Sequence, residues 1–445
     1  MPLHPDFVKA CKIHLPELFR IWLSVDPEDQ RRVTRIITQD DYNTRAETSI
    51  ERYRGGRTST AFRERIEGSE AYHELSKAIA EYQPELTHHL ILPERNIYLA
   101  NLANSAALIS IWCRFLERAN YDSASPDALV NILLATLGGV LETKILTESI
   151  ITAFSGIRLP CTRNSIALGP DACLRTLSEE ELIELGSEDI VFNENIDFVR
   201  FRVSCCLELR ATDQFNLIAA APRSMIGIVE RSCDNVFSVK SILHALHVLK
   251  TTPIEAYLSR AERHPKILPG LHGSVGFPGV GIMAPPSVLE EHEIESFIAI
   301  EKELRESPRE EIRIAADRLV EAAHRSSRVD AIVDAVIGLE ILLKPADADE
   351  LNFRVALNYA FLGPPECRRQ RFDEIRDIQK LRNKIVHGST RHRGPEAEER
   401  LGKAAEAAMN ALRDALKRFI TDPSLQGNKP LDAEFWLKRL FDQKE

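Results

Sequence analysis

The pattern of apolar and polar positions divides the chain into three stretches. Residues 1–155 read mainly as helices. Asp26-Pro27-Glu28-Asp29 has the form of a helix start: a capping Asp, Pro at the first helical position, then acids near the positive end of the dipole. From Pro93 to Arg118 apolar residues recur at 97, 99, 102, 108, 109, 112 and 116, a helical spacing. Ser125-Pro126-Asp127 opens a further helix, predicted to run through Leu141 and Ile150. Between these helices, Arg45 to Arg65 surrounds Gly55-Gly56 with Arg52, Tyr53, Arg54, Arg57, Arg63 and Arg65, and reads as a loop.

The second stretch, 156–286, changes character. Gly156 to Asp171 is rich in turn residues, and Ser178-x-x-Glu181 is a capping box for a short helix. Val199, Phe201, Val203, Cys205, Leu207 and Leu209 alternate with Arg200, Arg202, Ser204, Cys206, Glu208 and Arg210. Period two predicts a strand with one buried face. Phe215–Ala220 and Met225–Val229 are its candidate partners, giving a small, mostly antiparallel sheet over about 157–235. Ser238 to Lys250 returns to helix. Pro269 to Pro286 has five glycines broken by Pro278, which favours a connector over a phosphate cradle, since no Lys-Ser or Lys-Thr follows.

The third stretch, 287–445, is helical throughout. Ser287-x-x-Glu290 and Ser307-Pro308-x-Glu310 read as successive capping boxes. Helices are expected at about 288–306, 308–325, 328–343, 349–361, 365–387 and 395–420. A last one, Leu431 to Phe441, carries Phe435, Trp436, Leu440 and Phe441 and is expected to dock back as a cap. The fold class is therefore α+β: a helical N-terminal region and a small antiparallel sheet, followed by an all-α bundle.

Composition narrows the class without changing that outline. Of 445 residues, 44% are hydrophobic and 28% charged, ordinary for a globular chain. The net charge of −10 argues against a general nucleic-acid coat while leaving room for a local basic site. The eight cysteines form no CxxC pair, which fits a reduced, cytoplasmic setting. No apolar run is long enough to span a bilayer, so no membrane partner is expected.

The most concentrated chemistry lies in Arg382-Asn383-Lys384-Ile385-Val386-His387-Gly388. Phe372, Ile375, Ile378, Leu381, Ile385 and Val386 form the apolar stripe of the preceding helix, and Gly388 suits a left-handed stop. Arg382 and His387 are separated by about 140° of rotation and about 7.5 Å of rise, close enough to approach one ligand at the helix end. Arg offers a planar fork for phosphate and His moves protons near neutral pH. A dipole-partner His beside a surface Arg is the other reading that chemistry alone leaves open.

This segment resembles the motif of HEPN domains, an Arg, a polar residue, a short spacer and a His, with Arg382, Asn383 and His387 on those positions. The stretch from Val329 to Gly388 resembles the Apea-like HEPN families more narrowly, through Asp330 to Leu343, then Phe353-Arg354, then the Arg382 motif. The resemblance implies a metal-independent endoribonuclease without cofactor, working as a homodimer whose paired helices line one cleft. Arg382, His387 and Asn383 would be catalytic, and Lys384, Arg376 and Lys380 would contact RNA. It further implies an anti-phage, toxin-like effector, with the N-terminal region sensing a trigger or binding an inhibitor protein. A non-catalytic HEPN module for dimerisation or nucleotide binding, with an N-terminal sensor, is the alternative.

Other features carry less. His244-x-x-His247 share a helix face but lack further ligands nearby, so no metal site is assigned. The Arg45–Arg65 loop reads either as an RNA contact or as a solvated segment balanced by Glu47, Glu51, Glu64 and Glu67. Asp330, Asp334 and Glu340 lie on an otherwise apolar helix, facing either solvent and neighbouring Arg or, for Glu340, the site.

Overall fold

The computed structural model describes residues 2–23, 31–41, 44–53, 66–87, 89–92, 97–101, 126–178, 181, 203–214, 216–218, 231–264, 274–276, 286–306, 309–344, 351–387, 395–425 and 435. In chain order the N-terminal part contains α1 (Pro5–Leu23), β1 (Arg31–Asp41), β2 (Thr44–Tyr53), α2 (Glu70–Tyr82), β3 (His89–Leu92), β4 (Ile97–Asn101) and α3 (Pro126–Thr143). Phe7, Cys11, Leu15 and Leu18 of α1 are buried, as are Leu75 and Ile79 of α2, and α1 packs on α2 and α3. Ser69 caps α2, its Oγ accepting from the Tyr72 N–H at 3.3 Å.

This part is less helical than its apolar spacing suggests. Strands β1 and β2 pair antiparallel where a helix was expected after Asp26-Pro27 and a loop over Arg45–Tyr53. Val33, Thr34, Ile36, Ile37 and Thr38 are β-branched, and their restricted χ1 favours extended backbone. Asp26-Pro27 itself and 54–65 lie outside the described residues. Likewise Ile97–Asn101, inside the stretch read as helix from Pro93, is strand β4. Helix α3 starts at Pro126 as expected but stops at Thr143, seven residues short of Ile150. Lys144 adopts φ 53°, a left-handed stop, with its N–H donated to the Val140 carbonyl at 2.8 Å.

Beyond that stop come β5 (Ile145–Ser155), β6 (Ile157–Arg158), β7 (Ser165–Ala167), β8 (Ala172–Thr176), β9 (Val203–Gln214), β10 (Asn216–Ile218), α4 (Arg231–Leu249), β11 (Glu255–His264), β12 (Ser274–Gly276) and β13 (Ser287–Val288). The main sheet has six strands in the order β12-β11-β5-β9-β8-β7, all antiparallel. It draws on both sides of the expected window, since β5 precedes residue 157 and β11 follows 235. The expected partner around Phe215 contributes β10, which pairs instead with β3 in a separate sheet. Met225–Val229 lies outside the described residues.

Strand β9 is buried on both faces over Cys205–Glu208, the second face being covered by the side chains of Arg175 and Arg210. Cys205 and Leu207 join the apolar core with Phe154 and Leu174, while Cys206 and Glu208 are buried on the opposite face. Glu208 accepts from Arg175 Nε at 2.6 Å and Arg210 Nε at 2.8 Å. Burial pushes its carboxyl up, but hydrogen bonds from Arg210 and Arg175 outweigh this and bring it down to about 2. The far end of Arg175 grips Glu181, which also closes the expected capping box with Ser178.

The helical region contains α5 (Ile294–Glu306), α6 (Glu310–His324), α7 (Arg328–Leu343), α8 (Leu351–Leu362), α9 (Arg368–Val386) and α10 (Pro395–Thr421). Its first capping box is formed by Glu290 and Glu293, with Ser287 taken up in β13. The second falls on Ser307 and Pro308, outside the described residues, and Arg309 is the residue before α6. Phe435, alone described in the expected last helix, packs against the core. At Gly338 an added Cβ would meet Leu412 Cδ2 at 2.6 Å, so this glycine lets α7 lie close to α10.

Helix α4 joins sheet to bundle. It packs on α5, α6 and α10, and one apolar core runs from Phe154 of β5 through Leu246 to Leu416 of α10. At its C-terminus Arg413 of α10 donates Nε to the carbonyls of His247 and Lys250, at 2.9 and 3.1 Å. His247, fully buried, has Nδ1 2.9 Å from the Leu243 carbonyl and stands 5.1 Å from the His324 ring. Burial, and secondarily His324, depress its ring to about 3.

Two measurements follow. The unfolded chain takes up the His247 proton from about pH 6.5 downward and the folded chain only near 3, so stability falls as pH drops through that window. The full shift corresponds to on the order of 5 kcal/mol. Urea unfolding midpoints should decline between about pH 7 and pH 4, and His247→Gln should flatten the decline; a constant midpoint contradicts the buried neutral ring. Lys144→Gly, which removes the left-handed penalty at an exposed position, should stabilise the fold by about 1 kcal/mol in the same assay.

Candidate functional site

Helix α9 orients the Arg/His segment through its apolar side. Ile375 and Ile378 are buried, and Phe372, Leu381 and Ile385 pack partly against the core. Val386, expected in that stripe, is 56% exposed because it falls on the polar side of the last turn. This anchoring turns Arg382 toward α7. Its Nη2 lies 3.8 Å from Glu340 Oε2, and its Nη1 donates to Asn383 Oδ1 at 3.2 Å. Arg382 Nε is buried with no partner among the described residues. Burial raises the Glu340 carboxyl, and the Arg382 charge opposes that rise. Glu340 therefore faces the guanidinium rather than open solvent.

His387 terminates α9. Its backbone N–H donates to the Asn383 carbonyl at 3.0 Å and the residue is exposed. Gly388 lies outside the described residues. Arg382, Asn383 and His387 thus share the last two turns of one helix, the Arg half-buried against a carboxylate and the His open.

The expected RNA contacts differ in how free they are. Lys384 is exposed in the last turn. Lys380 pairs with Asp377 at 2.9 Å, and Arg376 lies 5.7 Å from the Phe372 ring centre. Among their basic neighbours, Arg369 pairs with Asp373 at 2.7 Å, and Arg371 sits 3.9 Å over the Tyr359 ring while bonding Asp414. Arg371 is therefore spent inside the fold, whereas Lys380 and Arg369 are paired with carboxylates at the surface.

One residue escaped sequence reasoning. Gln379 is 3% exposed, one turn before Arg382, and neither atom of its amide has a partner among the described residues. Its only signal in the sequence is an amide inside an apolar stripe. Asp334, weighed beside Glu340, is a structural acid: it is buried and held by Arg325 at 2.7 Å and Arg318 at 3.2 Å. The His244/His247 pair diverges, His244 going to Asp317 and His247 to backbone. Among the described residues no group of three or more His, Cys, Asp and Glu is arranged to hold a metal ion. Nor, among them, is any helix long and apolar enough to cross a membrane.

An unpartnered buried amide costs about 1–3 kcal/mol. Gln379→Leu, similar in size and apolar, should therefore raise stability by about that amount in denaturant unfolding. A loss of stability instead would mean that the amide is paired in solution. Comparison with protein-family models, with characterised proteins and with solved structures gave no match.

Proposed function

We propose that this chain is a metal-independent endoribonuclease of the HEPN type, acting as a dimer through its C-terminal helices. The observation that carries the reading is the placement of Arg382, Asn383 and His387 on the last two turns of α9, with the His exposed and the Arg held beside Glu340. A two-fold interface there joins two sparse Arg/His sets into one cleft.

In that cleft His387 takes the proton from the ribose 2′-hydroxyl, and the 2′ oxygen forms a bond to phosphorus. The bond from phosphorus to the 5′ oxygen breaks, and that oxygen is protonated by a histidinium. Arg382 stabilises the charge that grows on the phosphoryl oxygens, which requires its fork to turn from Asn383 and Glu340 to the substrate. Asn383 orients the His or the phosphate. Lys384, and with weaker claims Arg376 and Lys380, contact neighbouring phosphates. The biological setting that goes with this chemistry is a cytoplasmic anti-phage effector controlled by its N-terminal region, an argument by analogy.

A second reading is a non-catalytic HEPN module for dimerisation or nucleotide binding. The engagement of Arg382 by Glu340 and Asn383 favours it.

Purified protein with labelled RNA separates the two. His387→Ala and Arg382→Ala should each reduce cleavage at least about a hundredfold, the scale of general acid–base catalysis, with the dimer intact by light scattering. Arg382→Lys should recover little, since Lys lacks the planar fork. Products should end in a 2′,3′-cyclic phosphate, DNA should be spared, and excess EDTA should leave the rate unchanged. Cleavage that needs added Mg²⁺, or that survives both substitutions, overturns the reading.

A further inference from the structure

A second cluster of polar groups lies away from α9, where α4, α5 and α6 meet. Arg313 and Ile314 each lie three or four residues from Glu310 and from Asp317 on α6, so the four share one face of that helix. They form one wall of a cleft of about 290 Å³, with His244 of α4 and Leu304 of α5 opposite. That volume is at the small end of ligand-binding pockets and suits a small molecule.

The buried end of the cleft is polarised. His244 is 4% exposed, and its Nε2 lies 2.8 Å from Asp317 Oδ1. Asp317 also accepts from Lys240 Nζ at 2.8 Å. Burial pushes the Asp317 carboxyl up, but His244 and Lys240 together bring it below its ordinary value, so it is ionised. An ionised acceptor at Nε2 places the ring proton there. In the neutral ring Nδ1 is then the acceptor, and it makes no hydrogen bond to any described residue. It is an unpartnered atom of a side chain more than nine-tenths buried on the cleft wall.

Two more groups in the cleft are unmatched among the described residues. Arg313 and Glu310 make no ion pair with any described residue. Their side chains start about 5–6 Å apart on the helix face, yet they do not pair with each other. Lys240 and Asp317 also line the cleft but bond to each other, so the unpaired groups are one guanidinium, one carboxylate and Nδ1 of the His244 imidazole, beside the apolar Leu304 and the 37% exposed Ile314. A phosphate would meet Arg313, could reach Lys240 only at the cost of its bond to Asp317, and would be repelled by Glu310 and Asp317. A simple carboxylate would leave Glu310 unmatched, and an amine alone would leave Arg313 so.

We propose that this cleft binds a free α-amino acid with an apolar side chain, as its zwitterion. The carboxylate lies on the Arg313 fork, which it matches bidentately. The ammonium donates to Glu310 and to His244 Nδ1. The side chain covers Leu304 and Ile314. This site is independent of the Arg382 segment and of any reaction there.

The test is calorimetric titration of the full-length protein with L-leucine, isocaproate and isoamylamine, extended to the remaining standard amino acids. The three named probes share an aliphatic tail but carry both charges, only the carboxylate, and only the ammonium. Saturable binding of L-leucine or another apolar amino acid is expected, with Kd below about 1 mM. Each singly charged analogue should bind at least about tenfold more weakly, a difference of about 1.4 kcal/mol. Arg313→Gln and Glu310→Gln, both on the outer part of the cleft, should each weaken binding by a similar factor while circular dichroism stays unchanged. The proposal is overturned if no standard amino acid saturates at about ten times that concentration. Equal binding of an analogue, or unchanged affinity in both variants, overturns it too.

Discussion

The contact on which the rest of the fold depends is the one between Arg413 and the end of α4. A helix that ends inside a protein leaves carbonyls without intrahelical donors, and burying them unpaired is costly. Arg413 supplies a donor to two of them and brings a positive charge to the negative end of the dipole. Burial lowers the Arg413 guanidinium to about 10, which leaves it charged at neutral pH. With that end satisfied, α4 can lie in the apolar interior and present Ile242, Leu246 and Ala245 to a core shared by sheet and helices. The same solution recurs: Asn358 donates to the Leu343 carbonyl at the end of α7, and Arg309 to the Phe419 carbonyl near the end of α10. These helices are fastened to one another by side chains that complete each other's ends.

The Arg382 segment leaves more of its buried polar groups unmatched. Around Arg382 the buried polar atoms are only partly matched: Nε and the Gln379 amide are unpartnered, and Glu340 stands at 3.8 Å rather than at hydrogen-bonding distance. A well-ordered structural pair, such as Asp334 with Arg325 at 2.7 Å, looks different. Three of the five buried side-chain atoms without a partner among the described residues lie at Arg382 and Gln379, the other two being Arg413 Nη2 and His324 Nε2; incomplete satisfaction is common where a group exchanges partners. That concentration of unmatched atoms, more than the spacing of Arg and His, sets the end of α9 apart from the helices around it.

Legibility in the sequence followed the range of the interactions. Helix α7 falls on the expected 328–343 because its start and periodicity are local, with Ser327 as cap and a continuous apolar run. The Ser178/Glu181 box is equally local and forms as read. The N-terminal strands were hidden because helical spacing of apolar residues can be met by chance in β-branched segments such as Val33–Thr38. The two-sided burial of β9 was hidden because Glu208 and Cys206 look like a solvent face until Arg175 and Arg210 are placed beside them. For the Arg382 segment, the helix and its stripe were readable, whereas the pairing with Glu340 joins residues 42 apart and exists only in the packed bundle.

The short parallel bridge between β6 and β13 has a consequence for how this chain tolerates change. Ser287 donates its N–H to the Gly156 carbonyl at 3.0 Å and Leu289 donates to the Arg158 carbonyl at 2.9 Å, so the chain returns to the sheet just before the helical region begins. Gly156 makes the crossing possible: at φ +82° a Cβ would stand 2.3 Å from the Pro253 carbonyl oxygen. Everything between these points is a closed excursion with its two ends pinned together. Lengthening a connecting loop within it costs only about 0.6 kcal/mol per doubling. Connections between residues 158 and 287, as distinct from β9, α4 and β11 that build the core, can therefore change length over evolutionary time while the entry to α5 keeps its position.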